Sequence, residues 1–222
     1  WLDTKKQITS KLVRFWGRWI LWATGVHYEI YGLNKLKNEN QYVFMCNHES
    51  ALDIILGIAC LPFNFVFLAK KELFSIPVFG WAMNAAGMIK IDRGNPEKAK
   101  HSVNTASEAL KNSNFSTLLY PEGTRSSKGE LMPFKKGGFI LAIQSRLPLV
   151  PLTLMGTGKV LPKGKFFIKP GDIKIIIDEP LCTELLQVKD KNNLLKLCRD
   201  SIQINLNKYN EGEVVSGDLS AT

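Results

Sequence analysis

The chain has 222 residues, enough for one large domain with a substantial core, and its 45% hydrophobic and 22% charged content excludes a disordered or fibrous protein. Its 29 Lys and Arg against 20 Asp and Glu give a net charge of +9, which suits an anionic partner: nucleic acid, an anionic bilayer or a phosphorylated substrate. Cys46, Cys60, Cys182 and Cys198 form no C-x-x-C pair, and His27, His48 and His101 are scattered, so the pattern predicts reduced cysteines in a cytosolic compartment and no metal site.

In chain order, the first predicted element is an amphipathic helix over residues 8–24. Leu12, Phe15, Trp16, Trp19, Ile20 and Ala23 recur at helical spacing, while Lys11, Arg14 and Arg18 fall largely on the other side, with Lys5 and Lys6 ahead of them. Trp16, Trp19 and Trp22 suit a bilayer interface, where the ring sits in lipid and the indole N–H stays near water; an ordinary helix docked on the domain is the alternative. Arginines inside the apolar stretch argue against a secretory signal. The apolar run from Ile54 to Ala69 is broken by Pro62 and Asn64, short of a membrane span. Trp1 in place of an initiator Met leaves room for residues upstream.

Strand-like and helix-like stretches then alternate. Strands are predicted at 27–31, 42–46, 65–69, 88–91, 116–120, 147–154 and 173–177. Helices are predicted at 51–60 with Ser50 as N-cap, 77–86, 96–111 with Pro96 in the first turn, 137–146 and 190–207. This alternation predicts an α/β fold with a central, mostly parallel sheet flanked by helices. The expected organisation is a membrane-docking segment (1–25), a catalytic domain (26–210) and a flexible tail (211–222).

Chemistry concentrates in two segments. In Asn47-His48-Glu49-Ser50-Ala51-Leu52-Asp53, His48 ends a strand and Asp53 lies in the first turns of a helix, so the ring can fold back onto the carboxylate. A carboxylate on one imidazole nitrogen leaves the other free as a base. By spacing alone the pair is either a structural hydrogen bond or a catalytic one. In Tyr120-Pro121-Glu122-Gly123-Thr124-Arg125-Ser126, glycine permits close approach to a ligand and Arg125 offers a planar fork for phosphate, but a tight turn with a solvated Arg fits equally.

Together these segments resemble the glycerolipid acyltransferase family, most closely the 1-acylglycerol-3-phosphate acyltransferases. The N-H-x-S-x-x-D motif is matched by Asn47, His48, Ser50 and Asp53; F-P-E-G-T-R-S from Pro121 to Ser126, with Tyr120 in the Phe place. G-x-x-x-I-D-R is matched by Gly87, Ile91, Asp92 and Arg93, and an apolar V-P stretch by Val150-Pro151-Leu152. The resemblance implies direct acyl transfer from acyl-CoA or acyl-carrier protein to lysophosphatidic acid, with no cofactor and no acyl-enzyme. It implies His48 as general base, Asp53 as its orienting partner and Ser50 as a cap rather than a nucleophile. Arg93, Arg125 and Lys70 would hold phosphate, with Lys135 and Lys136 assisting. Glu122 would position the glycerol end, within a binding segment that includes Gly123 and Thr124.

The implied location is the cytosolic face of a membrane, with the anionic membrane surface as a partner and nucleic acid not. Residues 63–68 and 74–83 are candidates for lining an acyl tunnel, though they fit core packing better. Rival readings are a sibling acyltransferase with another acceptor, such as glycerol-3-phosphate, and a non-enzymatic basic membrane-binding module, which has no use for His48, Asp53 and Glu122. A serine hydrolase is disfavoured because no G-x-S-x-G elbow is present.

Overall fold

The computed structural model describes residues 7–85, 87–92, 94–126, 129–212 and 219–220. Its elements are α1 (Gln7–Ala23), β1 (Val26–Tyr31), β2 (Val43–Cys46), α2 (Leu52–Cys60), β3 (Leu68–Lys70), α3 (Phe79–Ala85), β4 (Ile89–Ile91), α4 (Pro96–Lys111) and β5 (Thr117–Leu119). They continue with α5 (Gly137–Ser145), β6 (Leu149–Met155), α6 (Thr157–Val160), β7 (Gly171–Ile177), α7 (Lys191–Asn210) and β8 (Leu219–Ser220).

The main sheet runs β5-β2-β6-β7-β1-β8. Strands β5, β2 and β6 are parallel to one another, as are β7 and β1, whereas β7 meets β6 antiparallel and β8 meets β1 antiparallel. The expectation of a mostly parallel sheet flanked by helices holds. The two strands expected at 65–69 and 88–91 form a separate parallel pair, β3 with β4. Phe65 forms an isolated bridge to Ser116, and its ring packs against Phe44 of β2 with centroids 5.7 Å apart.

Strands β2 and β6 are buried along their whole length, which is why they read as unbroken apolar runs. Because side chains alternate across a strand, Phe44 and Cys46 face one way and Val43 and Met45 the other. Phe44 joins Leu52 and Leu56 of α2, Leu21 of α1 and Leu152 of β6 in one core. Val43 and Met45 join Leu110 of α4, Phe139 of α5 and Cys198 and Ile202 of α7 in the second. The result is three layers, with α2 on one face of the sheet and α4, α5 and α7 on the other. Helix α4 starts where its sequence signals place it: Asn95 accepts a hydrogen bond from the Lys98 backbone N–H at 2.8 Å, and Pro96 follows.

Helix α1 packs on α2 through its arginine side, leaving the tryptophan stripe free, as the interface reading requires and the docked-helix alternative does not. Arg14 Nη2 donates to the Phe63 carbonyl and Arg18 Nε to the Ala59 carbonyl, each at 3.0 Å. These carbonyls lie at and beyond the C-terminal end of α2, where unpaired carbonyl groups attract cations. Gly17 permits the close crossing, since a Cβ there would lie 3.1 Å from that of Ala59. The arginines therefore face the protein, and Leu12, Phe15, Trp16, Trp19 and Trp22 face outward and are exposed. Among the described residues no helix is long and apolar enough to cross a membrane.

Candidate active site

The segment from Asn47 to Asp53 leaves the C-terminal end of β2 and turns into α2. Asn47 is buried, and its side-chain amide pairs with the Leu154 backbone as a peptide would: Nδ2 donates to the carbonyl at 2.9 Å and Oδ1 accepts from the N–H at 2.8 Å. The amide thus extends the pairing of β2 with β6 past the end of β2. Ser50 Oγ donates to the Leu161 carbonyl at 2.7 Å and accepts from the Leu52 N–H at 3.1 Å. Its oxygen closes the turn, while Ala51 rather than Ser50 flanks the first helical residue.

His48 and Asp53 meet as expected. Asp53 is fully buried, and its Oδ2 lies 2.7 Å from His48 Nδ1. The same oxygen accepts the backbone N–H groups of Glu49 and Ser50, each at 2.9 Å. One atom therefore both folds the turn and orients the ring. Asp53 Oδ1 is buried without a hydrogen-bond partner among the described residues. The Tyr120 ring stacks on His48 with centroids 4.0 Å apart, and its hydroxyl is buried and unpaired among the described residues. Burial, with the nearby Cys46 and Asp53, pushes the Tyr120 phenol well above its ordinary range.

Glu122 is buried at the turn after β5. Its Oε1 accepts from the His48 backbone N–H at 2.7 Å and its Oε2 from the Met132 N–H at 3.0 Å. The Ser126 N–H closes a second bond onto the His48 carbonyl at 2.7 Å. This geometry makes Glu122 a clamp on the backbone of His48, a role that the glycerol-positioning expectation did not include. Burial raises the Glu122 carboxyl, and the two backbone bonds oppose that. Burial also raises Glu49, helped by the charges of Asp53 and Glu122.

His48 and Tyr120 line a cleft of ≈ 490 Å³, with apolar walls from Leu68, Ile91, Val103, Leu119 and Leu141. That volume lies within the range of small-molecule sites. Of the tunnel candidates at 63–68 and 74–83, only Leu68 lines this cleft among the described residues; Phe63 is core, as the packing reading expected. Lys135 also lines it, and its Nζ lies over Gly123, where a Cβ would approach it to 2.7 Å. Gly123 has φ +73°, so the turn favours glycine for both backbone and space.

The remaining assignments are less concentrated. Thr124 and Arg125 follow Gly123 outside the cleft lining, with the Arg125 carbonyl accepting from Lys163 Nζ at 2.7 Å. Lys70 is exposed at the end of β3, also outside the lining. Arg93, Lys5 and Lys6 lie outside the described residues, as does most of the expected tail from 211. Cys46, Cys60 and Cys198 are buried and free, as expected of most of the cysteines, and Cys182 is free but exposed. Sequence reasoning gave no part to Asn47 beyond its motif letter, and little to Lys135, whose Phe-Lys-Lys-Gly setting has no periodic signal.

The acyltransferase family model matches residues 27–155. The 1-acyl-sn-glycerol-3-phosphate acyltransferase of Limnanthes alba is 35% identical over 86% of this chain and 67% of its own length. The enzyme of that name from Cocos nucifera is 35% identical over 82% of this chain, which spans 58% of the relative. The chain thus spans between 58% and 67% of the length of these two relatives. The crystal structure of the 1-acyl-sn-glycerophosphate acyltransferase PlsC from Thermotoga maritima has the same fold, with a TM-score of 0.78 at 23% identity, covering 93% of this chain and 81% of that one.

Proposed function

The chain belongs to the acyltransferase family, and from that premise we propose that it transfers a fatty acyl group from an acyl thioester to the sn-2 hydroxyl of lysophosphatidic acid, giving phosphatidic acid. The observation that carries this reading is the 2.7 Å contact of His48 Nδ1 with the buried Asp53 carboxylate, at the wall of an apolar cleft. With Nδ1 held there, Nε2 is the nitrogen left to act, and no hydrogen bond engages it among the described residues.

In the proposed reaction His48 Nε2 removes the proton of the acceptor hydroxyl as its oxygen attacks the thioester carbonyl carbon. Asp53 stabilises the imidazolium that forms. The tetrahedral intermediate collapses with cleavage of the C–S bond, and the thiolate leaves with the proton from His48. The acyl chain occupies the apolar cleft. Lys135, beside His48 in the same cleft, faces the acceptor phosphate. Arg93 and Arg125 remain assigned to phosphate on their motif positions alone, and Lys70 on its place at the end of β3, as the resemblance implies. The donor is acyl-CoA or acyl-carrier protein, no cofactor is required, and α1 rests its tryptophan face on the cytosolic leaflet.

Purified protein in detergent, given lysophosphatidic acid and each acyl thioester in turn, should form phosphatidic acid, and His48→Ala should lose that turnover. Wild type inactive with both donors across chain lengths would sink the acceptor assignment. An active His48→Ala would remove the base.

A further inference from the structure

We propose that the loop between α6 and β7, with Phe166 and Phe167 at its tip, is a second membrane anchor that inserts into an anionic bilayer beside α1. The inference deepens the reading of α1 as a membrane-surface helix and rests on it.

Phe166 is 92% exposed and Phe167 88% exposed. Two adjacent phenylalanines held in water leave a large apolar area without a partner. The loop is nonetheless built. Lys165 N–H donates to the Pro162 carbonyl at 3.0 Å, and Lys169 N–H to the Val160 carbonyl at 2.9 Å, closing its base. Ile168 packs against the core on the α2 side of the sheet, which fixes the stem while its two neighbours stand clear.

The loop also stands next to α1. The Gly171 N–H donates to the Gly25 carbonyl at 3.3 Å, and the Pro170 ring lies 3.2 Å from where a Cβ of Gly25 would be. Gly25 follows the last turn of α1, which carries Trp22 at 78% exposure. The end of the loop, four residues past Phe166, thus meets the segment that leaves α1.

Charge selects the occupant. Residues 160–171 contain Lys163, Lys165 and Lys169 and no acidic side chain, and α1 contains none either. Aromatic rings framed by lysines match an anionic lipid surface, where rings enter the interface and ammonium groups meet headgroups. A second copy of the chain would bring like charges together.

The test is co-sedimentation of the full chain with phosphatidylcholine vesicles, with and without phosphatidylglycerol. F166S/F167S should lower the partition coefficient roughly 10- to 100-fold, with melting temperature and turnover of a monomeric short-chain acceptor unchanged. K165Q/K169Q should weaken binding only to the phosphatidylglycerol vesicles. W19S/W22S on α1 serves as the comparison. If that variant loses binding while F166S/F167S binds like wild type, the loop is not an anchor and the α1 reading survives. If wild type fails to bind either vesicle, both fall. If F166S/F167S instead loses capture of acyl-carrier protein with vesicle binding intact, the occupant is an acidic protein and the proposal is overturned.

Discussion

Replacing Asp53 by Asn separates the two tasks that one oxygen performs. In the Asn variant the amide oxygen can keep the place of Oδ2 and still accept from His48, Glu49 and Ser50. What goes is the negative charge 2.7 Å from the imidazole. At an effective dielectric of about 20 that charge attracts an imidazolium by about 6 kcal/mol. The amide dipole retains part of this, and the base is only partly protonated in the transition state. A loss of roughly 3–4 kcal/mol remains, or a fall in kcat of about 10²- to 10³-fold, within the usual span of general-base catalysis. The amide NH2 takes the place of Oδ1, which is buried without a partner among the described residues. That costs about 1–3 kcal/mol and lowers the melting temperature by several degrees. Asp53→Ala also orphans the N–H groups of Glu49 and Ser50, so it should lose about 2–6 kcal/mol. Steady-state kinetics and urea unfolding of both variants decide the matter. If Asp53→Asn keeps kcat within about threefold while His48→Ala is inactive, the carboxylate only folds the turn and the mechanism above is wrong.

Tyr120→Phe removes a buried, unpaired hydroxyl and keeps the stacking ring, so it should raise stability by about 1 kcal/mol with turnover retained; a lower urea midpoint would contradict this. Glu49→Gln tests the raised carboxyl. The folded protein binds that proton more tightly than the unfolded chain, so wild-type stability falls as pH rises above the ordinary value of 4.5. The amide lacks this slope, and its advantage over wild type should grow from acid to neutral pH; parallel urea curves at every pH would refute it. Lys135→Ala should raise KM for the acceptor roughly 10- to 100-fold with little change in kcat, and an unchanged KM would remove the lysine from the phosphate site.

What the sequence disclosed follows the range of the interactions. The His48–Asp53 pair lies within one turn, so strand end, helix start and spacing sufficed to place it. Its supports were invisible because they close over long separations: Glu122 reaches His48 across 74 residues, and Asn47 reaches Leu154 across 107. The periodicity of α1 was legible, but not which face turns inward. Hydrophobic spacing fits a stripe turned to a bilayer or to the domain equally, and only the bonds of Arg14 and Arg18 to carbonyls at and beyond the end of α2 turn it outward. The antiparallel joining of β7 to β6 left no trace in composition, because the paired stretches Leu152–Met155 and Lys174–Ile177 are largely apolar whichever way they run. The separation of β3 and β4 was equally hidden, since strands of three residues carry too little pattern to reveal their partners.

The turn carrying His48 is stitched on both sides to distant parts of the sheet. Glu122 and Ser126 hold it from the β5 side, and the Asn47 amide holds it to β6. The amide protons of His48 and Ser126 should therefore exchange with solvent only when the whole domain opens, with protection close to that of the central strands. A base anchored this way cannot swing to meet its substrate. In the proposed reaction, adjustment to acyl chains of different length falls to the apolar lining, to which α4 contributes Val103 and α5 Leu141. Under that reading the lining can be recut for other lipids while the His48–Asp53 geometry stays unchanged.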